Sequence, residues 1–114
     1  MHSPAAYLRC YPYDPRNMAA RREAVRRFAN RLGLRPPLIY LDNGCTSADP
    51  RPQLDELASS IAAGLHQVLL VPSPWVFSID DLRARRTMQM LTLAGCRRIL
   101  CLPRASWSGA TPNF

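Results

Sequence analysis

Four short apolar runs each lead into side chains able to do chemistry: Cys10-Tyr11-Pro12-Tyr13, Asp42-Asn43-Gly44-Cys45-Thr46-Ser47, Pro72-Ser73-Pro74-Trp75 and Leu102-Pro103-Arg104. None of these segments is a glycine-rich phosphate loop. The chain holds neither GxGxxG nor GxxxxGK[ST], which argues against an enzyme with a nucleotide cofactor. No Ser/His/Asp set is persuasive either, because His2 is terminal and His66 falls at the opposite, amino end of the third run. Cys10, Cys45, Cys96 and Cys101 show no CxxC and no Cys/His pairing at metal spacing. They are expected to be buried, reduced thiols rather than metal ligands, and no cofactor is implied.

The elements that position these side chains follow from local chemistry. Ala5 to Cys10 is a strand, ended by the YPYDPRN cluster because Pro12 and Pro15 cannot donate ladder hydrogen bonds. Asp14 can cap a helix with Pro15 at its first position, and Met18, Val25, Phe28, Ala29 and Leu32 recur at helical spacing. The first helix is therefore expected from about residue 15 to about residue 32. After Pro36-Pro37, Leu38 to Leu41 is a second strand that stops at Asp42-Asn43-Gly44. Leu54, Leu57, Ala58, Ile61 and Leu65 share one face of a second helix over residues 51 to 64. Val68 to Val71 is wholly apolar, as a strand covered on both sides should be. Ser78-Ile79-Asp80-Asp81 reads as the capping box of a third helix that ends at Ala94 before Gly95. Arg97 to Leu102 is the fourth strand.

The order β-α-β-α-β-α-β predicts an α/β fold: a four-stranded parallel sheet whose crossovers are helices lying on both of its faces. The 114 residues suit one domain, placed at residues 1–103. Residues 104–114, rich in Ser, Pro, Gly and Asn, are expected to be a flexible tail.

All fifteen cations are arginine, and with eight carboxylates and neutral histidines the net charge is 15 − 8 = +7. Such a surface favours phosphate-bearing or acidic partners. Arg16, Arg21, Arg22, Arg26, Arg27 and Arg31 decorate the first helix, and Arg83, Arg85, Arg86, Arg97 and Arg98 surround the third. Runs of this kind are ordinarily solvated helix faces. Without aromatic interleaving or a helix-turn-helix they would support at most salt-sensitive, sequence-independent DNA binding. The amino terminus lacks a basic segment leading into an apolar stretch, and no run of about 18 apolar residues occurs. The cytoplasm is the default location, with no membrane partner.

Read as a series, AYLRCY, MAARREAVRRFANRLGL, IYLDNGCTSADPRPQLDELASSI, VLLV and LAGCRRILCL resemble the N-terminal catalytic domain of serine recombinases of the resolvase/invertase type. The resemblance covers residues 5 to 102 and implies a three-layer sandwich with sheet order 2-1-3-4. In that family the first strand ends in Tyr-x-Arg-Val-Ser, the second leads into an Asp-x-x-Ser-Gly loop ending in Arg, and the third ends in Leu-Asp-Arg-Leu-x-Arg. Tyr7 and Arg9 keep the first pattern, but Tyr11 stands at the position of the nucleophilic serine. Asp42 and Arg51 match the acid and the arginine of the second, with Cys45 and Thr46 where Ser-Gly is usual. Trp75, Val76 and Ile79 replace the Asp and the two arginines of the third. The family's recombinases continue into a long dimerisation helix and a separate DNA-binding domain. With about a dozen residues after the fourth strand, sequence-specific DNA recognition is not expected of this chain.

The resemblance thus leaves Arg9, Tyr11, Asp42 and Arg51 as the remains of a site, with Arg9 and Arg51 as its phosphate-binding groups. Removing one preorganised donor to a charged transition state typically costs about 10² to 10³ in rate. Here the nucleophile and two arginines are missing together, which implies a catalytically inactive domain acting as a binding or regulatory module. The alternative is a residual DNA-cleaving or phosphoester enzyme with Tyr11 as its nucleophile. Tyr7 is expected to face the core. Arg9 is expected to pair with Asp42, because a buried charge needs a partner. Trp75, Val76 and Phe77 either pack into the emptied site or, with Tyr13, present a surface to a partner. The partners that remain open are DNA backbone, another protein and a second copy of the chain.

Overall fold

The computed structural model describes residues 3–10, 14–44, 50–78 and 80–103. Strand β1 (Ala5–Cys10) is followed by helix α1 (Pro15–Arg31), β2 (Leu38–Asn43), α2 (Pro52–Ala62), β3 (Val68–Val71), a 3₁₀ turn (Pro74–Val76), α3 (Asp81–Ala94) and β4 (Arg98–Cys101). All strand pairs are parallel and the order is β2-β1-β3-β4. β2 runs two residues past its apolar stretch, because Asp42 and Asn43 stay in register with Arg9 and Cys10 of β1. The expected tail and residues 11, 13, 45, 46 and 79 lie outside the described residues.

The layers follow from handedness. Parallel crossovers are right-handed, so a step from β1 to β2 in one direction and from β2 through β3 to β4 in the other must put α1 on one face and α2 and α3 on the opposite one. The core divides in the same way. Tyr7, Leu69 and Val71 pack with Leu57, Ile61 and Leu91 of α2 and α3, while Ala6, Leu8 and Leu70 pack with Met18, Val25 and Ala29 of α1. Successive residues of a strand point to opposite faces. β1, flanked by strands and covered on both sides, buries all six of its residues.

Helix ends largely obey their local signals. Asp14 accepts the N–H groups of Arg16 and Asn17 at 3.0 and 3.3 Å, with Pro15 at the first helical position. The third cap differs from expectation. Asp80 rather than Ser78 takes the free N–H groups, those of Leu82 and Arg83 at 2.9 and 3.1 Å, and Ser78 instead accepts the Asp80 N–H. A carboxylate at a helix amino terminus gains from the macrodipole as well as from the hydrogen bonds. Gly95 closes α3 at φ 129°, a region unfavourable to L side chains. Cys10 and Cys96 are buried, but Cys101 is exposed on β4, contrary to expectation, because an edge strand has one uncovered flank.

Candidate functional site

β1 pairs with β2 along six residues but with β3 along only two, Ala5 with Leu69 and Ala6 with Leu70. β3 ends at Val71 while β1 runs on to Cys10, so the last residues of β1 have no strand on that side. This opening lies at the carboxyl ends of strands whose crossovers leave in opposite directions, which is where open parallel sheets place their ligands. Here the segment from Trp75 to Phe77 packs into it. Val76 and Phe77 are fully buried, and the Phe77 ring stacks on Tyr7 with centroids 5.8 Å apart and planes 2° from parallel. Phe77 is therefore part of the core and not of a partner surface, whereas Trp75 remains 44% exposed.

The backbone carbonyls of this turn give Arg9 and Arg51 their roles. The carbonyls of Ser73 and Pro74 accept the N–H groups of Val76 and Phe77 within the turn. The next three have no further turn to receive them. Arg9, 1% exposed, donates Nε to the Val76 carbonyl at 2.9 Å and Nη2 to the Trp75 carbonyl at 3.1 Å. Arg51 donates Nη1 to the Phe77 carbonyl. Two guanidinium groups thus hold three consecutive carbonyls.

Asp42, buried opposite Arg9 in the sheet register, faces a different task from the expected ion pair. α2 begins at Pro52 with Arg51 at the cap position, and Arg51 makes no side-chain cap. The Asp42 carboxylate supplies one from β2, accepting the N–H of Gln53 through Oδ1 at 3.0 Å and of Leu54 through Oδ2 at 2.9 Å. Oδ2 also accepts the Tyr7 hydroxyl at 2.7 Å. The expected pairing of Arg9 with Asp42 gives way because each finds neutral backbone partners that would otherwise be buried unsatisfied.

Burial, and secondly the hydrogen bond to Asp42, push the Tyr7 hydroxyl well above its ordinary range. The folded protein holds a proton that the unfolded chain releases near pH 10. Tyr7 therefore stabilises fully below that pH, and its contribution falls by about 1.4 kcal/mol per unit as the pH climbs further. Urea melts from about pH 8 to about pH 11 are expected to show a shallower alkaline loss for Tyr7→Phe than for the wild type. Equal slopes would mean that the hydroxyl titrates in the fold as it does in water.

Arg21, expected on a solvated helix face, is buried, and its Nη1 donates to the Arg9 carbonyl at 3.3 Å. Burial lowers its pKa, opposed by nearby Cys10 and Asp14. α1 buries Met18, Arg21, Val25 and Ala29 on one face. The gap between Met18 and Val25 in the apolar stripe was the available signal. At the other end of the sheet, His66 is buried with Nδ1 2.8 Å from the Ser3 carbonyl and Nε2 2.8 Å from the Tyr40 hydroxyl. A carbonyl only accepts, so Nδ1 carries a proton and shares it with Ser3. Among the described residues no three His, Cys, Asp or Glu side chains gather as metal ligands would. No helix among them is long and apolar enough to cross a membrane. Tyr11 and Tyr13, expected at the site and its rim, lie outside the described residues, as do Cys45, Thr46 and Ile79.

No protein-family model matches the chain, and no curated protein matches it in sequence. Among solved structures it is similar to the N-terminal catalytic domain of TP901-1 integrase, with a TM-score of 0.64 and 20% identity over 86% of this chain and 75% of that one. It is also similar to a serine recombinase from Sulfolobus solfataricus, with a TM-score of 0.62 and 11% identity over 93% of this chain and 74% of that one. With its four parallel strands in the order 2-1-3-4 and helices on both faces, the chain has the resolvase-like α/β fold of serine-recombinase catalytic domains.

Proposed function

We propose that this chain is a serine-recombinase-like domain without strand-transfer chemistry, working as a binding or regulatory module. The observation that carries the reading is the destination of Arg9 and Arg51, whose guanidinium groups hold the carbonyls of Trp75, Val76 and Phe77. A phosphate drawing them away would strand up to three carbonyls in a part-buried turn, at about 1 to 3 kcal/mol each. The reading also rests on the resemblance, which puts Trp75, Val76 and Ile79 at positions of the family's acid and arginines, and Tyr11 at that of its serine. Arg16, Arg26, Arg27 and Arg31 stay exposed on α1 and suit salt-sensitive contact with DNA backbone, while exposed Trp75 suits a protein. A cytoplasmic setting with reduced thiols accords with this role.

The test is incubation of the protein with supercoiled plasmid, followed by gels for nicked circles and for protein–DNA adducts that survive denaturant. The wild type is expected to give neither, and to be indistinguishable from Tyr11→Phe. An adduct abolished by Tyr11→Phe would overturn the reading and make Tyr11 a nucleophile.

A further inference from the structure

Helix α3 is apolar on two sides. Its inner side buries Ala84 and Leu91 against α2 and the sheet, with Met88 packed on the same cluster. On the opposite side Leu82, Met90 and Leu93 stand 57%, 47% and 81% exposed. With about 3.6 residues per turn, Leu82, Arg86, Met90 and Leu93, spaced i, i+4, i+8 and i+11, follow one line along the helix. A surface helix ordinarily turns its polar residues outward. Three exposed apolar side chains gathered on one outer face, with Arg86 set among them and further arginines around it, mark an interaction surface.

The rim states what chemistry would cover it. Arg83, Arg85 and Arg86 are exposed on α3, and Arg97 and Arg98 are exposed just beyond its end, while the carboxylates Asp80 and Asp81 sit together at its amino terminus. The whole chain carries +7. A second copy would bring only Asp80 and Asp81 to answer the five arginines of each face. DNA would satisfy the arginines but leave Leu82, Met90 and Leu93 in water. We infer that the outer face of α3 is the docking surface for an acidic amphipathic helix of another protein, whose apolar stripe meets these three side chains and whose Asp and Glu flanks meet the arginines. This is the packing of one amphipathic helix against the exposed stripe of another, with the charged rim giving orientation and encounter rate. It stands whether or not Tyr11 has chemistry, because no α3 residue belongs to the strand-end cluster.

The probe is a synthetic, dye-labelled amphipathic helix with one leucine stripe flanked by glutamates, titrated with the full chain and followed by fluorescence anisotropy. A peptide of the same composition with the stripe scrambled is the control. The striped peptide is expected to bind with a micromolar Kd that weakens with salt, and Leu93→Glu and Arg86→Glu are each expected to weaken it by about tenfold or more. Both positions are exposed, and unchanged circular dichroism and melting would show that the variants fold. Equal binding of the scrambled peptide, or no effect of Leu93→Glu, would overturn the assignment. So would sedimentation of the wild type as a dimer that Leu93→Glu dissolves, which would give the face to a second copy, or displacement of the striped peptide by duplex DNA with no contribution from Leu93.

Discussion

Asp42→Ala is expected to destabilise the protein by about 3 to 5 kcal/mol, the cost of removing one partner from a buried, charge-assisted network. Three donors converge on this carboxylate: the N–H groups of Gln53 and Leu54 and the hydroxyl of Tyr7. Two of them belong to the first turn of α2, which lacks a cap of its own because Arg51 makes none. Alanine would leave those N–H groups and a fully buried tyrosine hydroxyl without an acceptor, and would remove a negative charge from the positive end of the helix dipole. Asp42→Asn preserves the shape and one acceptor oxygen but loses the charge, so it is expected to cost less, about 1 to 3 kcal/mol. Urea denaturation of the three proteins side by side measures the difference through the midpoint at constant m. A loss below about 1 kcal/mol for alanine would mean that water replaces the carboxylate at the start of α2.

Arg9→Met is expected to cost about 2 to 5 kcal/mol, because it keeps the aliphatic stem while leaving the Trp75 and Val76 carbonyls without their donors. The effect should be concentrated in the turn. Amide exchange is expected to accelerate at Val76 and Phe77, whose N–H groups close that turn, and the environment of Trp75 should change with it. This separates two roles for a buried arginine. One held for a substrate phosphate would, when removed, weaken binding and leave the empty protein about as stable as before. One that holds a buried turn weakens the fold itself, and unchanged stability and exchange in Arg9→Met would refute that second role.

Much of the architecture was legible in the chain because it is set by neighbours in sequence. Asp14 and Pro15 start α1 through contacts within three residues, Gly95 ends α3, and the apolar run Val68 to Val71 can only be a strand covered on both faces. The alternation of strands with helices then implied a parallel sheet with crossovers of fixed hand, while the order 2-1-3-4 was implied by the resemblance to serine recombinases and not by the alternation. Shifts of one or two residues, such as the cap at Asp80 or the extension of β2 through Asn43, arise where two local signals compete or where pairing with a neighbouring strand outlasts the apolar pattern.

The site was legible as a list of residues but not as a set of contacts. Arg9 and Val76 are 67 positions apart, Tyr7 and Asp42 35, Arg51 and Phe77 26. Residue type says that each buried polar group must find a partner and leaves several partners equally possible, Asp42 among those open to Arg9. The choice was made where β1 runs on past the end of β3 at Val71. That opening admits the turn at residues 74 to 76 and brings its unpaired carbonyls to the guanidinium groups. It also leaves Asp42 nearest the uncapped start of α2. Composition and periodicity thus determined the elements, their order and the positive charge. The tertiary structure alone decided which donor meets which acceptor, because that depends on the distance between strand ends and not on the identity of the residues along them.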